Sequence, residues 1–267
     1  ETDFVSVSFN ELRTGLRTSL RKRLFNNIDG RLTYSYEIVD IFDVSPFASP
    51  IIRGEEGKRS VSKIELDLIR DFRDRIIYSR RGNRVELKTS FAGLGGDTDY
   101  FKIEGRGSQY FPTHDYLDQT LSIFARAGSV FDRGSNGVPF FDRFFLGGPD
   151  DIRGFEFRQV GPKDIQRGPS GAITSIDNIG GNSFGFFTVE YTFKLSEGMR
   201  FAVFYDLGFV NPDEGDFSFS RYNSSWGFGI RVQVLGAPMR LDFGIPITTD
   251  EFNDEGNQFH FTFGPRF

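Results

Sequence analysis

Phe187-Thr188-Val189-Glu190-Tyr191-Thr192-Phe193-Lys194 places an apolar side chain at every odd position and a polar one at every even position. A period of two is the repeat of a β-strand with one apolar and one polar face. The pattern continues downstream, where Phe201, Val203, Tyr205, Leu207 and Phe209 oppose Arg200, Ala202, Phe204, Asp206 and Gly208. Trp226, Phe228, Ile230, Val232 and Val234 then oppose Gly227, Gly229, Arg231 and Gln233, and Leu241, Phe243 and Ile245 oppose Arg240, Asp242 and Gly244. The last strand sets Phe259, Phe261, Phe263 and Phe267 against His260, Thr262 and Gly264.

Upstream the same alternation marks strands at Leu32 to Ile38, Ile64 to Leu68, Val85 to Phe91, Phe101 to Phe111 and Leu121 to Ala127. Residues 2–24 carry apolar positions of both parities, with Val5, Val7 and Phe9 followed by Leu12, Leu16 and Leu20. This reads as one long strand that changes face near Asn10, with a short hairpin there as the other solution. The total is about 12 strands, roughly 11 to 13.

Composition says where such strands belong. The 267 residues include 33 phenylalanines, yet mean hydropathy is −0.34. No stretch approaches the roughly 18 to 20 consecutive apolar residues of a membrane-spanning helix. Apolar residues diluted one-to-one with polar ones fit strands that face lipid on one side and a lumen on the other. A soluble β-sandwich also alternates, but its strands are shorter. The connections decide between the two. Asn26 to Gly30, Ser79 to Asn83, Ser196 to Gly198 and Gly236 to Pro238 are short, whereas Ser45 to Arg59, Asn211 to Asn223 and Thr248 to Asn257 are long. Short turns on one side and long loops on the other are the habit of outer-membrane barrels. The fold expected is an all-β, antiparallel transmembrane β-barrel occupying residues 1–267.

Chemistry is scarce. There is no cysteine, and the two histidines, His114 and His260, lie far apart. Neither histidine lies near a Ser-rich elbow, so no hydrolase is indicated and no metal or cofactor is expected. A net charge of −5 argues against nucleic acid as a partner. No signal peptide is visible at Glu1, so the expectation is a chain that is mature, truncated or both.

One segment, 132–183, breaks the alternation and falls on the long-loop side. It contains Gly147-Gly148-Pro149-Asp150-Asp151-Ile152-Arg153-Gly154-Phe155. Paired glycines allow tight turns, and arginine suits buried, forked pairing. By parity, Glu190 and Asp206 point into the lumen on the two strands after this loop. An inward-folded loop would place Arg153 between them; otherwise they are solvated lumen charges and Arg153 is a loop-tip arginine.

The run Phe145-Leu146-Gly147-Gly148, followed by Ile152-Arg153-Gly154-Phe155 and Gly161-Pro162, closely resembles the signature of the outer-membrane protein assembly factor family, BamA and its relatives. The resemblance implies that the Arg-Gly-Phe tip lies on an inward-folded extracellular loop and meets Glu190 and the aromatic-x-aspartate Phe204-Tyr205-Asp206. The ending Thr262-Phe263-Gly264-Pro265-Arg266-Phe267 is similar to the C-terminal signal of outer-membrane barrels, carried here by Thr262, Gly264 and Phe267. By the same resemblance, which runs from about Asn10 to Phe267, the chain begins several strands into a larger barrel and lacks the family's periplasmic POTRA domains. The implied activity is folding and insertion of other barrel proteins into a bacterial outer membrane, without covalent chemistry. The implied partners are the bilayer, unfolded outer-membrane clients and, through the periplasmic domains, assembly lipoproteins. A passive pore or small closed barrel is the other function considered. A final expectation is that the C-terminal strand pairs with the segment from Val5 to Leu20 and closes the barrel, because hydrocarbon does not tolerate open sheet edges.

Overall fold

The computed structural model describes residues 2–5, 8–115, 117–134, 137–234, 237–253 and 256–264. Its principal sheet has twelve antiparallel strands in near-sequential order. These are β1 (Thr2–Val5), β2 (Asn10–Phe25), β3 (Ile28–Phe42), β4 (Gly57–Asp71), β5 (Gly82–Ala92), β6 (Tyr100–His114), β7 (Gln119–Asp132), β10 (Ser183–Ser196), β11 (Met199–Asn211), β12 (Asn223–Val234), β13 (Ala237–Thr248) and β14 (Gln258–Phe263). A separate hairpin, β8 (Lys163–Arg167) and β9 (Ile173–Asn178), interrupts the series between β7 and β10.

The opening segment takes the hairpin solution: β1 turns back onto β2, pairing Val5 with Asn10 and Thr2 with Arg13. That pairing explains the parity change near Asn10. β8 and β9 were not anticipated, since five or six residues carry too little alternation to stand out.

Register makes the two faces explicit. Phe187 lies opposite Leu207, Tyr191 opposite Val203 and Phe193 opposite Phe201. Val203 then lies opposite Phe228, Phe228 opposite Phe243, and Phe243 opposite Phe259. In the first half Leu20 faces Leu32, Leu32 faces Leu66, and Phe91 faces Phe101. These rows form one continuous apolar surface that is exposed despite its chemistry, with Phe228 and Phe261 at 40% and 55%. The other face buries Thr188, Glu190, Phe204, Asp206, Arg231 and Asp242. Apolar side chains outward and polar ones inward is the arrangement a bilayer stabilises and water does not.

The connections sort by end. Residues 26–27, 115–118 and 197–198 join strands at one end, and 43–56, 93–99, 133–182, 212–222 and 249–257 at the other. A short helix, α1 (Pro50–Arg53), sits in the first of the long loops, its first turn capped by the Ser49 hydroxyl. The β4–β5 connection differs from the expected short turn at Ser79 to Asn83, because β4 stops at Asp71 and residues 72–81 form a strap. Its four arginines and Asp74 leave no apolar period of two to extend either strand.

The core lies beneath the long loop. Phe144, Leu146, Ile152, Phe155 and Val160 pack with Tyr100, Val130, Phe184, Phe186 and Val210 of the wall. A second cluster joins Phe140 and Phe141, in a single 3-10 turn (Phe140–Asp142), to Phe9, Val39, Ile41 and Ile52. Closure of the sheet differs from expectation. Among the described residues β14 pairs with β13, and no pairing joins β14 to β1 or β2. Over Asn10 to Arg13 the edge of β2 is taken by β1, which leaves no room there for β14.

Candidate functional site

The tip of the long loop is a compact knot. Leu146 and Val160 exchange backbone hydrogen bonds at its base, at 3.2 and 3.0 Å, and the Gly148 amide donates to the Phe155 carbonyl at 3.0 Å. Gly147 has φ of +107°, and a Cβ there would stand 2.3 Å from the Glu156 carbonyl oxygen, so only glycine fits the turn. Ile152 and Phe155 are fully buried on either side of Arg153. Together they hold the intervening arginine against the wall.

Arg153 itself is 0% exposed, as is Asp206. Its Nε donates to Asp206 Oδ2 and its Nη2 to Asp206 Oδ1, both at 2.8 Å, and its backbone amide reaches Oδ2 at 3.0 Å. Nη1 donates to Glu190 Oε2 at 2.6 Å. The Thr188 hydroxyl accepts from Nη2 at 3.3 Å and donates to Asp206 Oδ1 at 2.5 Å. The guanidinium carbon lies 3.3 Å from the centroid of the Phe204 ring. Charge-assisted, two-pronged bonding with an aromatic face behind it is what a guanidinium does and an ammonium does not.

The alternation that lays β10 beside β11 produces this geometry. Thr188 lies opposite Asp206 and Glu190 opposite Phe204, so the four inward side chains form a block on adjacent strands. Arg153, Glu190, Phe204 and Asp206 thus come together, with Gly147, Gly148, Ile152, Gly154 and Phe155 shaping the tip. Thr262 is half-buried on β14 opposite Arg240, and the Gly264 amide donates to the Pro238 carbonyl at 2.8 Å. Neither touches the arginine cluster, and Phe267 lies outside the described residues.

Five further residues complete the site. Arg231 donates through Nη2 to Glu190 Oε2 at 2.8 Å, and its Nη1 stands 2.7 Å from Asp242 Oδ1. Asp242 also lies 3.6 Å from Arg153 Nη1. Ser225 Oγ accepts from the Gly154 amide at 3.1 Å, and His260 Nε2 lies 3.0 Å from the Arg153 carbonyl oxygen. Parity already put Arg231, Asp242 and His260 on the inner face; it carried no information on which of them reach Arg153. Backbone approach is equally tight, since a Cβ on Gly244 would stand 2.0 Å from the Arg153 carbonyl oxygen.

Other loop residues tie the same segment to the wall. Asp151 pairs with Arg126 on β7 and Asp150 with Arg240 on β13, each at 2.5 Å. Lys102 on β6 donates to the Asp142 carbonyl at 2.8 Å, and Arg13 on β2 to the Phe141 carbonyl at 3.3 Å. The loop is therefore fixed to strands on both sides of the sheet. The cluster is an electrostatic clasp.

Residues 2–267 match the model of the Omp85 superfamily domain. The outer membrane protein assembly factor BamA of Nitratidesulfovibrio vulgaris is 29% identical over 245 residues, which is 88% of this chain and 29% of that protein. A SAM50-like protein of Schizosaccharomyces pombe is 26% identical over 265 residues, 93% of this chain and 54% of that protein. The crystal structure of BamA from Haemophilus ducreyi lacking POTRA domains 1–3 superposes with a TM-score of 0.81 at 20% identity, covering 97% of this chain and 55% of that one. The chain thus spans between under a third and just over half of these proteins. By the family match along nearly its whole length, the chain belongs to the Omp85 superfamily, as a BamA-like C-terminal barrel portion.

Proposed function

We propose that the protein carrying this barrel folds and inserts other β-barrel proteins into a bacterial outer membrane. The observation that carries the reading is the buried pairing of the Arg153-Gly154-Phe155 tip with Glu190 and Asp206. A pore has no need of a loop tied this firmly across its lumen, whereas a machine that strains its own wall needs an internal brace. The work would be done by backbone groups at a strand edge, which template an incoming strand by adding it to the sheet. Its partners would be unfolded outer-membrane proteins, with assembly lipoproteins engaged through periplasmic domains. Gly147, Gly148, Ile152, Arg153, Gly154 and Phe155 would form the brace, Glu190, Phe204 and Asp206 its seat, and Thr262, Gly264 and Phe267 the barrel's own assembly signal.

A reconstituted folding assay tests the proposal. The barrel, joined to its native preceding domains, is placed in liposomes with an unfolded client barrel, and client folding is read by heat-modifiability beside single-channel conductance. Faster client folding that is lost in Arg153→Ala supports the insertase. Steady conductance with no gain in client folding leaves the passive pore.

A further inference from the structure

The strap 72–81 and the inner faces of β6, β7 and β10 to β13 line a chamber of about 100 Å³. Its wall carries Arg73 from the strap, Arg200 on β11, Arg231 on β12 and Arg240 on β13, while Glu190 is the one carboxylate among the described residues that line it. Glu190 answers Arg231 from within the lining, whereas Asp71, Asp118 and Asp150, which answer Arg73, Arg200 and Arg240, stand outside it. Three of the four arginines that line the chamber therefore have their counter-charges outside its lining.

Arg240 is the least satisfied of the four. Its side chain is 6% exposed and its Nη2 meets Asp150, which is itself 61% exposed at the loop tip. Nε and Nη1 are buried with no hydrogen-bond partner among the described residues. Guanidinium N–H groups held away from water without an acceptor are destabilising, and the acceptors that suit them best are oxyanions. The same side chain lines the chamber.

We propose that this chamber binds one small oxyanion of phosphate or carboxylate chemistry, held by Arg240 and flanked by Arg73 and Arg200. About 100 Å³ exceeds the share of a single water and accommodates one such ion. The site is independent of insertase activity, because it rests on the wall and the strap alone.

The test titrates inorganic phosphate, and separately acetate, into the purified barrel in detergent micelles, with heat read by calorimetry at constant ionic strength against chloride. The expected result is saturable one-to-one binding of one of the two anions, which fixes its chemistry, weakened at least tenfold in Arg240→Gln. Ser122→Leu is the second variant. Ser122 lines the chamber from β7, so the larger side chain fills it while leaving Arg240 in place. Its folding is checked by heat-modifiability, and the folded variant is expected to lose binding. Absence of saturable binding to the wild-type barrel, or equal binding by folded Ser122→Leu or Arg240→Gln, overturns the proposal.

Discussion

Arg153 and Asp206, fifty-three residues apart in sequence, share two parallel side-chain hydrogen bonds at 2.8 Å in a site that water does not reach. Removing either partner from such a pair leaves an uncompensated buried charge, which costs about 3–5 kcal/mol. Arg153→Ala and Asp206→Ala are each expected to loosen the loop and lower the temperature at which the barrel unfolds on heating. The double change should cost less than the sum of the two, by about 0.5–3 kcal/mol. A double-mutant cycle on heat-modifiability checks this, and strict additivity excludes the pair as a unit.

Arg153→Lys separates charge from shape. An ammonium keeps the positive charge but cannot reach both Asp206 oxygens and Glu190 in the same plane. The variant is expected to resemble Arg153→Ala in protease sensitivity of the loop. Wild-type resistance in the lysine variant would show that charge suffices.

Asp242 should behave differently from Asp206. Two arginines, Arg153 and Arg231, face three carboxylates, Glu190, Asp206 and Asp242, so the cluster is short of positive charge. Asp242 Oδ2 is buried without a hydrogen-bond partner among the described residues. Asp242→Asn removes the surplus negative charge while keeping the volume, and its cost is expected to be at least about 1 kcal/mol smaller than that of Asp206→Asn. Equal losses in urea unfolding from lipid vesicles would count against the charge argument.

The fold was legible because alternation is a local property. Once Phe187, Phe201, Phe228 and Phe243 are fixed as outward-facing, Glu190, Asp206, Arg231 and Asp242 must all point inward. What alternation does not carry is distance along the strand and contact across the lumen. Hence the Ser225, Asp242 and His260 contacts to the loop were invisible, and the β4–β5 connection passed as a short turn instead of the strap 72–81. The Arg-Gly-Phe tip was recognisable by resemblance to a family signature, since nothing in composition or period says where a non-repeating loop will lie. Closure failed as an expectation for a similar reason: the principle that edges must be covered does not say which strand covers them, and here β1 folds onto β2.

Close backbone approach gives another test. A Cβ at Gly244 would collide with the Arg153 carbonyl, whereas one at Gly105 would meet nothing within 4 Å. Gly244→Ala is expected to lift the tip at a cost of about 1–3 kcal/mol, the usual range for overpacking. Gly105→Ala, also within a strand, should leave loop proteolysis unchanged. Similar behaviour of the two variants would mean that strand propensity and not contact governs the effect.

The last prediction concerns the strap. Asp118, in the β6–β7 turn, contacts Arg80 of the strap at 2.6 Å and Arg200 of β11 at 2.5 Å, and Arg200 lies 5.0 Å from the Tyr78 ring centroid. Arg80 also bonds Asp115 at 2.9 Å, but Asp115 is largely exposed and such pairs contribute about 1 kcal/mol or less. Asp118 is therefore the residue that holds the strap and the β11 wall to one point. Asp118→Asn is expected to free the strap while the distant Arg153 cluster stays intact. Trypsin added from the short-turn side should then cut at Arg75, Arg80 or Arg81 faster than in wild type, whereas cleavage of the long loop stays slow. Asp115→Asn, which leaves Asp118 in place, should change strap cleavage much less. Equal acceleration by the two variants would show that the strap is held by diffuse surface charge and not by Asp118.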